Sequence, residues 1–141
     1  MIEEEDLSAR VQENDPLVVY LIVRFSLGMS PGKAAAQCGH AVQLLMAGFH
    51  RIEKRKLAGE NLSSDELNRY EKTKEWLEGI YRKIVLRATE VEWRMIKESL
   101  DGFLIKDVGL TEVPMGAETA ICLWPMRKSE VPKLIRRLQL L

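Results

Sequence analysis

The sequence predicts an α/β domain, a three-layer α/β/α sandwich on a four-stranded mixed sheet. Three observations carry this expectation. Leu17-Val18-Val19-Tyr20-Leu21-Ile22-Val23 is an unbroken apolar, β-branched run, the pattern of a strand buried on both faces. A helix start follows at once, with Ser30 suited to an N-cap and Pro31 to the first helical position. The later segments alternate so that the whole chain reads β, α, α, β, α, β, β, α, an order that puts helices on both faces of a sheet.

The elements follow from local signals. The first strand ends near Arg24, and the helix opened by Ser30 runs to about Ala58, where Gly59-Glu60-Asn61 breaks it. Ser63 or Ser64, with Glu66 close behind, starts a polar helix to about Leu77. Arg82-Lys83-Ile84-Val85-Leu86-Arg87 reads as the second strand. Thr89 caps a helix from Glu90 to Leu100 whose apolar face is Val91, Met95 and Ile96, with Trp93 assigned to the core. Gly102-Phe103-Leu104-Ile105-Lys106 and Thr119-Ala120-Ile121-Cys122-Leu123-Trp124 are the third and fourth strands. Ser129 begins a last helix that ends in Leu140-Leu141.

Composition narrows the class. At 141 residues the chain is one domain, and no apolar run approaches the ~18 residues of a membrane span. Met1-Ile2-Glu3-Glu4-Glu5-Asp6 has the wrong charge for a signal peptide, and Cys38 and Cys122 make no disulfide framework, so the cytoplasm is the expected compartment. A net charge of zero hides an asymmetry. Residues 1–16 hold six acids and one base and are expected to form a disordered acidic tail, which leaves residues 17–141 as a mildly basic folded domain able to meet a polyanion.

Gly28-Met29-Ser30-Pro31-Gly32-Lys33-Ala34-Ala35-Ala36-Gln37-Cys38-Gly39-His40-Ala41 is the most informative stretch. It sets a lysine in the first turn of a helix, beside free backbone N–H groups, at a strand-to-helix corner that suits phosphate or a developing oxyanion. Helical spacing puts Lys33, Gln37, His40 and Leu44 on one stripe and Ala34, Cys38, Ala41 and Leu45 on another. A nucleotide phosphate loop is disfavoured, because three residues rather than four separate Gly28 from Gly32 and Ala34 follows the lysine. A metal site is weaker still, since Cys38 and His40 point apart on a helix. Read by itself, the segment fits a tightly packed amphipathic helix equally well.

The second unusual stretch joins the third and fourth strands: Lys106-Asp107-Val108-Gly109-Leu110-Thr111-Glu112-Val113-Pro114-Met115-Gly116-Ala117-Glu118-Thr119. An aspartate at a strand end, glycines and threonines are poor core material, and loops held by strand ends commonly carry function. A hairpin whose Asp107 and Thr111 satisfy local backbone groups is the plain alternative.

Together the two stretches resemble the type II peptidyl-tRNA hydrolase family. Gly28 through Ala41 follow its first motif, and Asp107, Gly109, Thr111, Gly116 and Thr119 keep the spacing of its second. The likeness spans roughly residues 17–141. It implies a four-stranded mixed sheet between helical layers and hydrolysis of the ester joining a peptide to the terminal ribose of tRNA. It also implies Lys33, Asp107, Thr111 and Thr119 at catalytic positions, with Gly28, Ser30, Gln37, His40, Gly109 and Gly116 around the substrate. Peptidyl-tRNA is the implied partner, no metal or cofactor is called for, and a homodimer is a candidate assembly. The chain departs from the family pattern at Leu110, where an arginine is usual, and at Glu112, where a glutamine is. Arg51, Lys54, Arg55 and Lys56 form a basic group that reads as a solvated helix face in preference to a phosphate-facing patch. The runner-up function is an RNA- or protein-binding module on the same fold, because function is argued from the site and not from the fold.

Overall fold

The computed structural model describes residues 1–11 and 14–141. Strand β1 (Leu17–Arg24) leads through a 3-10 turn, Phe25–Leu27, into α1 (Pro31–Leu57). Then come α2 (Ser64–Glu78), β2 (Lys83–Ala88), α3 (Glu90–Ser99), β3 (Gly102–Lys106), β4 (Glu118–Leu123), β5 (Met126–Arg127), α4 (Lys133–Arg136) and β6 (Gln139–Leu140). The sheet is mixed, in the order β3-β4-β1-β2-β6, with β5 paired to the start of β1. β1 and β2 are parallel, Val19 opposite Lys83, and the other pairs are antiparallel.

The α/β class holds, but among the described residues the sheet has six strands and not four. The two unexpected strands are two residues each, too short for any period to show: Met126–Arg127 on Leu17–Val18, and Gln139–Leu140 on Leu86–Arg87. The expected last helix is also corrected. Lys128–Glu130 form a 3-10 turn and α4 is a single turn. Pro132 explains the delay, because its ring drives the preceding residue out of the α region, and Val131 is extended at φ −62° and ψ 123°.

β1 is buried along its length up to Arg24, and its alternation divides the interior. Val18, Tyr20 and Ile22 pack with Trp93 and Ile96 of α3 and Ile135 of α4. Leu17, Val19 and Leu21 pack with Ala41 and Leu45 of α1 and Trp76 of α2. Each such aliphatic side chain contributes ~1.5–3 kcal/mol when fully buried. The helix starts are capped as their sequences suggest. Ser30 accepts from the Lys33 N–H, while Ser63 with Glu66 and Thr89 with Glu92 form reciprocal capping boxes.

One glycine lets an aromatic ring of β3 pack directly on α1. A Cβ at Gly48 would stand 2.7 Å from the Phe103 ring, so the ring rests on helix backbone that carries no side chain there. In the N-terminal segment, Ser8–Arg10 form a 3-10 turn, and Asp15 accepts from the Ser129 N–H and hydroxyl at 2.8 and 2.6 Å. Residues 12 and 13, part of the tail expected to be disordered, lie outside the described residues. No helix among the described residues is long and apolar enough to cross a membrane.

Candidate active site

The site begins at the corner between β1 and α1. Gly28 takes a left-handed conformation (φ +62°) and closes the 3-10 turn that ends the strand. Ser30 then caps the helix, its Oγ accepting from the Lys33 N–H at 3.2 Å. This fixes the first turn, from which the Lys33 ammonium donates to Asp107 Oδ1 at 2.9 Å and Thr111 Oγ1 at 3.0 Å. The Lys33 and Asp107 side chains are only 10% and 6% exposed, so the pair is shielded from solvent screening.

Asp107 sits immediately after β3, and three donors converge on it. Besides Lys33, the Gln37 amide nitrogen reaches Oδ1 at 3.2 Å and the Gly109 N–H reaches Oδ2 at 2.9 Å. The Lys33 ammonium, helped by these two donors, holds the Asp107 carboxyl below its usual range against the opposing effect of burial. Behind it, the Thr119 hydroxyl donates to Gln37 Oε1 at 2.6 Å. Gln37 and Thr119 are buried, so this amide is fixed by a partner at each end. The stripe that grouped Lys33 with Gln37 thus forms one polar chain, Lys33–Asp107–Gln37–Thr119, across α1, the loop after β3 and β4.

The loop from Asp107 to Ala117 is shaped by its own backbone. Gly109 and Gly116 take φ of +82° and +79°. The Gly116 N–H donates to the Asp107 carbonyl at 2.6 Å and the Asp107 N–H to the Ala117 carbonyl at 2.9 Å, which clips the aspartate in place. A Cβ on Gly109 would lie 2.4 Å from the Met115 nitrogen. Between these turns the Val113 N–H closes a γ-turn on the Thr111 carbonyl at 2.7 Å, with Glu112 at φ +61°. Val113 is buried and anchors the loop.

Two features were not anticipated from the sequence. Glu112 appears there only as a departure from a motif, yet its carboxylate accepts from the Ser30 N–H and hydroxyl at 3.3 and 3.1 Å. Its left-handed backbone carries no residue signature, since glycine or asparagine would be the usual marker. The second is the use of Gly109: its amide, and not only its flexibility, is committed to Asp107.

His40, on the same stripe as Lys33, is exposed and has no hydrogen bond to the polar chain just described. It lines a cleft of about 560 Å³ between α1 and β3, together with Gln43, Leu44, Lys106 and Asp107. Leu110, Met115 and Val108 stand exposed around the loop. Among the described residues no group of three or more His, Cys, Asp or Glu could hold a metal ion.

A carboxylate held by a shielded ammonium thus stands at one end of a cleft between α1 and β3, a pairing of base and cation suited to polar chemistry. The family model described as Peptidyl-tRNA hydrolase PTH2 matches residues 17–141, and the chain belongs to that family. Its relatives include proteins named peptidyl-tRNA hydrolase from Pyrobaculum aerophilum, 33% identical over 85% of this chain and 93% of the relative, and from Methanopyrus kandleri, 29% identical over 86% and 95%. A Drosophila melanogaster protein named probable peptidyl-tRNA hydrolase 2 is 28% identical over 91% of this chain and 63% of its own length.

Proposed function

We propose that this protein hydrolyses the ester bond of peptidyl-tRNA in the cytoplasm, releasing the peptide and free tRNA. Family membership and the names of the relatives support the reaction. The observation that carries it onto particular residues is the Lys33 ammonium seated between Asp107 and Thr111. The α/β/α layering belongs to the same reading, supported by the two separate cores on alternate residues of β1.

Ester hydrolysis needs a positioned water, a stabilised oxyanion and a protonated leaving group. Asp107 is ionised at neutral pH and holds a water through the free lone pairs of its carboxylate. Its lowered basicity makes it a weak proton acceptor for a resting water. Its role is therefore orientation, and it takes the proton only as attack on the carbonyl carbon makes that water acidic. Lys33 offers its positive charge to the tetrahedral oxyanion, and the Thr111 hydroxyl holds the ammonium in place. When the intermediate collapses, the C–O bond to the ribose breaks and the proton taken from water passes to the ribose oxygen. Gln37 and Thr119 act through Asp107 as positioning residues.

The test is turnover of a labelled N-blocked aminoacyl-tRNA by the purified protein and by Lys33→Ala and Asp107→Ala. Loss in both variants by ~10²-fold or more supports the assignment, the scale on which removal of one oxyanion donor acts. Turnover retained by both variants removes it.

A further inference from the structure

We propose that the paired acceptor stem of the tRNA lies along the exposed edge of α1, its phosphates on Arg51 and Lys54. This rests on the ester-hydrolysis reading and adds a second contact region for the same substrate.

The first observation is a charge pattern. No aspartate or glutamate occurs between Pro31 and Ile52. At 3.6 residues per turn, Lys33, His40, Ala47, Arg51 and Lys54 fall within a strip about 60° wide. Of the four bases towards the end of the helix, Arg55 pairs with Glu60 and Glu66, and the Lys56 ammonium stands 4.9 Å from the centroid of the Tyr70 ring. Arg51 and Lys54 are exposed and form no ion pair among the described residues. The carboxylates that flank β3 are engaged elsewhere, Asp107 with Lys33 and Asp101 with Arg69, and Glu53 faces His50.

The second observation is continuity with the site. β3 runs antiparallel alongside α1, with Phe103 against Gly48 and Asp107 against Lys33 and Gln37. The cleft between them starts at Asp107 and passes His40, Gln43 and Lys106. Its direction leads towards Arg51. A helix rise of ~1.5 Å per residue puts Arg51 about 27 Å and Lys54 about 31 Å along the axis from Lys33. At a stacked spacing of ~3.4 Å per nucleotide, that is about eight nucleotides or more from the ester. This lies past the single-stranded CCA end and within the stem, so the cleft takes the unpaired end and the two cations meet the duplex backbone. Phosphate contacts of this kind position a nucleic acid without reading its sequence, as an enzyme serving many tRNAs requires.

Two substrates separate the possibilities: a full-length N-blocked aminoacyl-tRNA and a short N-blocked aminoacyl-CCA oligonucleotide that cannot reach Arg51. The R51E/K54E double variant is expected to lower the ratio of kcat/KM for the long over the short substrate by ~10-fold or more. In R51Q/K54Q, the slope of log KM against log salt for the full-length tRNA should become shallower by about 2, one for each phosphate deprived of its cation. A ratio and slope equal to the wild type overturn the proposal, and so does an equal loss on both substrates. Wild-type protein inactive on both substrates overturns the hydrolase reading and this inference together. Activity on both with an unchanged ratio overturns this inference alone.

Discussion

Ser30 and Glu112 are joined across the candidate site. The serine N–H and hydroxyl both donate to the carboxylate, while the same hydroxyl accepts from the Lys33 N–H. One residue thus caps α1 and ties down the loop that carries Thr111. The carboxylate also sits at the positive end of the helix dipole, which favours it there. Glu112→Ala should therefore free the loop and lower kcat several-fold with a small loss of stability, since these groups are exposed. Glu112→Gln, which can still accept one hydrogen bond, should fall between the two. Steady-state turnover and urea unfolding of the three proteins check this, and equal kcat in all three would show that the latch has no part in turnover.

Asp107 sets a pH dependence. Its carboxyl is held below the usual value of 3.8, mainly by Lys33, so the unfolded chain binds the proton at a higher pH than the folded one. The pair's contribution to stability is complete above the unfolded value and disappears as pH falls through the lower folded value. The stability difference between wild type and Asp107→Asn should therefore be constant near neutral pH and shrink only in strong acid. Urea denaturation at a series of pH values measures it. Asp107→Asn should also lower kcat/KM by ~10²-fold or more at neutral pH, in the range of positioned acid–base groups.

Thr119 is tested through Gln37. Thr119→Val keeps the shape of the side chain but leaves Gln37 Oε1 buried without a donor, a loss of about 1–3 kcal/mol. The urea midpoint should fall accordingly. Activity should fall as well, because the amide that steadies Asp107 is no longer fixed. Full activity in a destabilised Thr119→Val protein would show that Gln37 does not transmit position to the aspartate.

Two glycines with similar φ should behave differently. Gly28→Ala meets open space, so it costs only the left-handed conformation, about 1–2 kcal/mol. Gly109→Ala carries the same penalty and drives a Cβ to 2.4 Å from the Met115 backbone nitrogen. The loop must then shift and take its N–H from Asp107. The expected result is a larger loss of activity in Gly109→Ala than in Gly28→Ala, read from turnover beside thermal unfolding of each.

Much of this was legible in the chain because it depends on neighbours in sequence. The unbroken apolar run from Leu17 to Val23, rich in β-branched residues, demanded a strand covered on both faces, and Ser30, Ser63 and Thr89 are caps whose partners lie three residues away. The α1 stripe correctly grouped Lys33 with Gln37, because helical spacing alone brings them together. The two-residue strands and the short α4 were hidden for the opposite reason. Met126–Arg127 and Gln139–Leu140 become strands only because Leu17–Val18 and Leu86–Arg87 present open backbone groups to them.

The sequence by itself determined which polar groups were on offer: a lysine in the first turn of a capped helix, and an aspartate with two threonines around a glycine-rich loop. Only the tertiary structure decided that they meet. Lys33 and Asp107 are 74 positions apart, and the contact exists because β3 lies beside α1, closely enough that Gly48 has no room for a Cβ. The same packing turned Gln37 inward to Asp107 and Thr119, left His40 facing the cleft, and separated Arg51 and Lys54 from the bases that found partners. Local periodicity reports which face a side chain occupies. What stands opposite that face is set by long-range packing, which no single segment encodes.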